Sequence, residues 1–349
     1  MIDFRYHLVS IVAVFLALAI GIVLGSTELQ GNTIDVLRTS SNSLKNQLDQ
    51  SNAERAAAQQ QLGTYQTFLG TAEPRLLANE LPGDRIVLVT EPGASSVVIS
   101  GVKQAATEAG ATVTGTVAIQ PKFNDLSGTN QSSLSQINSD LSSTDGTPLA
   151  TPSNEQTLNQ QQAAQLIGTA ILATSTAGET TGISTADATT LLGAYAQAGY
   201  ITITPAVTDR ATLAVIVTPD TAPSDGQNDP GTQVLLAIAQ ELAGESAATV
   251  VVGSTAGSSP AGSPIAAVRA SSVANLVSTV DNADAIIGQV STIWALAQQL
   301  RGEKPNSYGI SGASAVSPVP LPVPSATPTV TPTPHPPKTG KGDKSVNKK

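Results

Sequence analysis

The sequence is 349 residues long, with 26 acidic against 17 basic side chains and a net charge of −9. That balance excludes nucleic acid as a partner, since binding it needs a basic footprint. There is no cysteine, one methionine (Met1) and two histidines, His7 and His335, which excludes disulfides, zinc–thiolate sites, iron–sulfur clusters and cysteine nucleophiles.

The first element is LVSIVAVFLALAIGIVL, from Leu8 to Leu24, seventeen residues with Ser10 as the one clearly polar side chain. At 1.5 Å rise per residue it spans about 26 Å, enough to cross a bilayer. Val23-Leu24-Gly25 resembles a signal cleavage site. The apolar run, however, is longer than the roughly 7–15 residues of a signal h-region and feeds straight into a helical pattern. Residues 1–26 are therefore expected to form an uncleaved anchor. Arg5 precedes the span, while Glu28 and later Arg38 follow it. The positive-inside rule then puts the N-terminus in the cytoplasm and everything after Gly25 outside. Ala13, Ala17, Gly21 and Gly25 recur every four residues, a small-residue stripe suited to contact between two copies of the span.

Residues 27–73 follow, and between Ile34 and Leu69 their apolar residues keep a 3.5-residue period. Ile34, Leu37, Leu44, Leu48, Ala58, Leu62, Tyr65 and Leu69 fill eight of eleven a/d positions, with Ser41, Ser51 and Arg55 as the exceptions. Such filling predicts a coiled-coil stalk, a parallel homodimer held in register by the span. Gly63 and Gly70 loosen its end, and Pro74 is expected to mark the exit.

From Asp84 to Gly312 short β-branched runs alternate with helical stretches. Strands are expected at Ile86–Thr90, Ala111–Ile119, Tyr200–Thr204, Leu213–Thr218 and Ala248–Ser254. Helices are expected at Ser95–Ala109, Glu155–Ala173, Ser184–Ala198, Gly231–Leu242 and Asp284–Arg301, with start signals at Ser153 and Ser184. Several strands are continuously apolar, as strands covered on both faces are. The fold class is therefore α/β with a mainly parallel sheet. Residues 124–154, rich in Ser, Thr, Asn and Gly, read as a loop-bearing insertion. Residues 313–349 read as a disordered tail: nine prolines lie between Val316 and Pro337, and Lys338–Lys349 carries +4.

Motifs for chemistry are scarce. Glu91-Pro92-Gly93 follows a strand where a nucleotide fold places its glycine turn, but the G-x-G-x-x-G spacing is missing. Gly253-Ser254-Thr255-Ala256-Gly257 mimics a nucleophile elbow. No histidine lies between His7 and His335 to serve as its base, so a tight turn is the better reading. Nothing in the spacing of Lys103 or Lys122 points to a Ser–Lys pair. Asp281 and Asp284, three apart near a helix start, read as capping groups. The residues define no catalytic, cofactor-binding or metal site, and no enzyme.

The stretch FRYHLVSIVAVFLALAIGIVLGS (Phe4–Ser26) resembles the opening of the actinobacterial copper transport protein MctB family. Further landmarks are Ala198-Gly199-Tyr200, Val277-Ser278-Thr279-Val280-Asp281-Asn282, the Trp294–Arg301 helix and Tyr308-Gly309. The resemblance extends to about Gly312 and leaves out the Pro-rich tail. It implies a role in copper homeostasis, limiting intracellular copper, and an outer-membrane pore.

Copper chemistry qualifies that implication. Cu(I) prefers sulfur and then imidazole, and after the span the chain offers no sulfur and only His335. A single helix cannot enclose a channel, and the strands are too evenly apolar for a membrane barrel. Two readings follow. One is a copper-homeostasis membrane protein without a tight copper site. The other is a non-enzymatic, dimeric coiled-coil adaptor presenting its α/β module to cell-envelope or cell-division proteins.

Overall fold

In the computed structural model, residues 4–145, 149, 155–176, 179–181, 183–205, 209–221, 225–258 and 262–318 are described. Ser153 and the tail beyond Pro318 lie outside them.

Helix α1 runs without a break from Phe4 to Leu77, 74 residues. The rod does not end at Pro74, as the sequence led us to expect. Proline removes one N–H and crowds the carbonyl four residues back, here that of Gly70, yet the helix continues three residues past Pro74. Gly63 and Gly70 also stay inside it. The helix stops at Leu77, followed by Asn79 at φ 62°, a left-handed conformation for which Asn is enriched. The rod is fixed firmly to the rest. Leu77 and Leu81 are fully buried, Trp294 Nε1 donates to the Leu76 carbonyl at 3.2 Å, and Arg301 pairs with Glu80 at 2.7 Å. Glu73 is buried at this junction, where burial, and after it the charge of Glu108, pushes its carboxyl up to about 7.

The first half of the domain comprises β1 (Arg85–Thr90), α2 (Ser96–Glu108), β2 (Thr112–Ile119), α3 (Gly128–Asp145) and α4 (Leu158–Ile171). A short antiparallel hairpin of β3 (Thr174–Thr176) and β4 (Glu179–Thr181) precedes α5 (Thr185–Gln197) and β5 (Ile201–Thr204). The second half has β6 (Leu213–Val217), α6 (Pro230–Glu245), β7 (Ala248–Val252), α7 (Thr255–Ser258) and α8 (Pro264–Ala270). It closes with β8 (Ser278–Val280), α9 (Ile286–Leu300) and β9 (Ser307–Tyr308).

The main sheet has seven strands in the order β5-β2-β1-β6-β7-β8-β9. Its pairings are parallel except that of β2 with β5, which is antiparallel. Side chains of a strand alternate between faces, and this alternation splits the core in two. Ile86, Leu88, Val215, Val217, Val250 and Val252 pack with the end of α1, with α2 and with α9. Val87, Val89, Ile216 and Val251 face α4, α5, α6 and α8 on the other side. Both faces are covered, which is why β1, β6 and β7 read as continuous apolar runs. Burying one such Val, Leu or Ile contributes about 1.5–3 kcal/mol.

Two expectations need correction. Residues 124–154 are not mainly loop, because α3 occupies Gly128–Asp145. Its few apolar residues fall on one face, with Leu134 fully buried and Ile137 and Leu141 packed against the same core. Hydrogen bonds replace the missing apolar area: Tyr195 Oη donates to Asn138 Oδ1 at 2.7 Å and Tyr200 Oη to Asn130 Oδ1 at 2.9 Å. Second, the chain stays on the domain past the expected boundary at Gly312. Gly309 N donates to the Ala315 carbonyl, and the Ser291 hydroxyl to that of Ser317 at 2.9 Å.

Candidate functional site

Strand order reverses between β1 and β6. The chain builds outward from β1 to β2 and β5, then returns to lay β6 on the opposite side of β1. Crevices beyond the carboxyl ends of strands at such a reversal are where open α/β sheets bind ligands. A cavity of about 220 Å³ lies there, lined by Glu91, Asn124, Asp229, Thr232, Leu235 and neighbouring prolines.

Each polar wall of the cavity has a local cause. Glu91 continues the β1–β6 ladder, its N–H donating to the Val217 carbonyl at 2.9 Å. The chain then turns at Gly93, whose φ of 83° suits glycine. Asp229 is the N-cap of α6 and accepts from Thr232 N at 3.0 Å, so a carboxylate already answers the positive end of that helix. Asn124 Nδ2 donates to Glu91 Oε2 at 3.2 Å. Gly231 lets the three approach, since a methyl there would stand 3.0 Å from Asp229 Oδ2 and 3.1 Å from Asn124 Nδ2.

Glu91 is 4 % exposed. Burial drives its carboxyl from 4.5 to about 7; the Asn124 hydrogen bond opposes the rise and the charge of Asp229 adds to it. A carboxyl raised by folding gives full stability below its unfolded value, and that stability is lost as pH rises through the folded value. Stability should therefore erode between about pH 4.5 and 7, by an order of 3 kcal/mol in total. Glu91→Gln should remove this share of the erosion and leave that of Glu73. Urea unfolding of the full chain in detergent is expected to find the variant about as stable as the parent at pH 4.5 and markedly more stable at pH 8.

The landmarks Val277–Asn282 and Tyr308-Gly309 meet in a second cluster. Asp281 is fully buried and forms an ion pair with Arg269 at 2.9 Å. It also accepts from Ile310 N at 2.7 Å and Ser311 N at 2.9 Å. Arg269 further donates to Thr279 Oγ1 and to the carbonyls of Tyr308 and Ser311. Asp281 is thus the post to which the chain after β9 is tied, not a helix cap. Asp284 does not cap α9 either, since Ala285 is the N-cap residue and Asp284 Oδ1 accepts from Thr255 N and Oγ1 at 2.9 Å. That bond closes the Gly253–Gly257 turn against the start of α9.

The residues expected to carry the membrane span and the stalk all lie on α1: Leu8, Gly21, Leu24, Ile34, Leu37, Leu44, Leu48, Leu62 and Leu69. Leu8 and Leu24 fall within the apolar segment Arg5–Gly25, long and apolar enough to cross a membrane. In the single chain Leu37, Leu44, Leu48 and Leu62 are each about 60 % exposed, and Leu69 is half-buried. Among the described residues no three of His, Cys, Asp or Glu gather into a metal-binding group. Sequence reasoning reached Glu91 only as part of a failed nucleotide turn; the usable signal was an acid placed directly after a wholly apolar strand.

Rod, doubly covered sheet and switch-point cavity together define an α/β protein with an apolar-tipped helical arm. The family described as "Copper transport outer membrane protein, MctB" matches residues 1–320, and the chain belongs to that family. It is similar to the protein named Copper transporter MctB of Mycobacterium tuberculosis, 31 % identical over 321 residues, 91 % of this chain and 98 % of that one. The Mycobacterium leprae protein of the same name is 30 % identical over 323 residues, 91 % and 99 % of the two chains.

Proposed function

We propose that this chain is a membrane-anchored copper-homeostasis protein that limits intracellular copper without a tight copper site of its own. The observation that carries the reading is the extent of the family match, residues 1–320, which takes in both α1 and the whole α/β domain. The donor set supports its second half, since soft Cu(I) finds no cysteine, no methionine beyond Met1 and no histidine between His7 and His335. Segment Arg5–Gly25 crosses the membrane with the N-terminus in the cytoplasm. Two copies pair through the span stripe and the leucine seam of α1. Some 45 helical residues between Gly25 and Gly70 then hold each domain roughly 70 Å from the bilayer. Among the described residues, a covered seven-stranded sheet and one apolar span enclose no channel. Copper therefore crosses through an assembly of copies or another channel-forming protein.

Deleting the gene should raise cellular copper under copper stress and leave septa normal. Normal copper with abnormal septa would overturn this reading. That outcome would favour an adaptor organising envelope or division proteins, for which the exposed leucine seam and the firm rod–domain joint speak. Topology has its own test. A reporter active only outside the cytoplasm should be active when fused after Arg301 and silent when fused before Leu8.

A further inference from the structure

We infer that the cavity beyond the carboxyl ends of β1 and β6 binds a small molecule carrying a primary ammonium group, held by Glu91, Asn124 and Asp229. The inference is independent of the copper reading.

Unanswered acceptors are the first argument. Glu91 is 4 % exposed, yet its Oε1 is buried without a hydrogen-bond partner, and so is Asn124 Oδ1. Leaving a buried acceptor unpaired costs free energy. Asp229 adds a second carboxylate to the lining, one oxygen of which, Oδ2, already accepts from Thr232 N. A primary ammonium has three donors and no acceptor, which suits a cavity lined by two carboxylates and the Asn124 amide. Charge is the second argument. The cavity has two carboxylates and no basic residue in its lining, so no internal cation balances them. Shape is the third. Pro92, Pro219, Pro264 and Leu235 form the remaining wall, suited to a hydrocarbon stem. A magnesium or calcium ion would keep several waters and set them against those apolar faces. At about 220 Å³ the cavity is smaller than the ~300–1,000 Å³ usual for drug-sized ligands, which limits the ligand to a small amine.

The test is calorimetric titration of the full chain in detergent and phosphate buffer. The ligands are n-butylamine, ethanolamine and 1,4-diaminobutane, with n-butanol, magnesium chloride and calcium chloride run separately. At least one amine should saturate at one site per chain while n-butanol gives no signal. Glu91→Gln should weaken that binding at least tenfold with an unchanged far-UV circular dichroism spectrum. Asp229→Asn, which keeps the helix cap, should weaken it several-fold. The inference fails if no amine saturates, or if Glu91→Gln binds amines as the parent does. It fails equally if magnesium or calcium binds in place of the amines and that binding is lost in Glu91→Gln.

Discussion

Replacing Asp281 with alanine is expected to destabilise the domain by about 3–5 kcal/mol, the range for removing one partner of a buried ion pair. The substitution strands Arg269 beside β8 and leaves the Ile310 and Ser311 amides without their acceptor. Arg269 keeps its bonds to Thr279, Tyr308 and Ser311, so the effect should lie toward the lower end. Gly309→Ala attacks the same point sterically, since its methyl would meet the Asp281 carboxylate at a φ of 124° that favours glycine. Both variants should lower the urea midpoint of the full chain. A parent-like midpoint for Asp281→Ala would show that the cluster is not holding the chain after β9.

Changing Leu44 and Leu48 together to aspartate should abolish the proposed stalk dimer. Both leucines are about 60 % exposed in the single chain and lie on the seam of α1. Each a/d leucine inserts into a hole between four residues of the facing helix, and an aspartate there brings an unpaired charge into apolar surroundings. Facing copies would set these aspartates against each other. Sedimentation of the soluble chain from Gln30 onward, which lacks the span, should give a dimeric parent and a monomeric variant. A monomeric parent at high concentration would remove the stalk dimer altogether.

The parts of the fold legible in the sequence are those that a single strong pattern governs. β1, β6 and β7 are continuously apolar because helices cover both faces, and each begins or ends within two residues of its expected place. Ser184 accepts from Asp187 N, as its position before α5 implied. What escaped was held by polar contacts. α3 carries Ser and Asn on most of its surface, and its buried Asn130 and Asn138 find their partners on Tyr200 and Tyr195, some 60–70 residues away. β8 and β9 have three and two residues, too short for a period of two to declare itself. Asp281 and Asp284 carry a local spacing that suits capping, but their partners, Arg269 and Thr255, come from helices α8 and α7. The cavity was hidden for the same reason, since Glu91, Asn124 and Asp229 meet only once the sheet order reverses.

A Cu(I) chelator competition tests most directly the proposal that this chain serves copper homeostasis without holding the ion. Between Asp84 and Gly302 the domain has carboxylates, amides and backbone to offer, and neither sulfur nor imidazole. Oxygen donors of that kind suit magnesium, calcium or manganese and hold Cu(I) weakly. The full chain in detergent, titrated against a Cu(I) chelator, should show no sub-micromolar binding. Stoichiometric, tight uptake of Cu(I) would contradict the claim and make the protein itself the carrier of the ion.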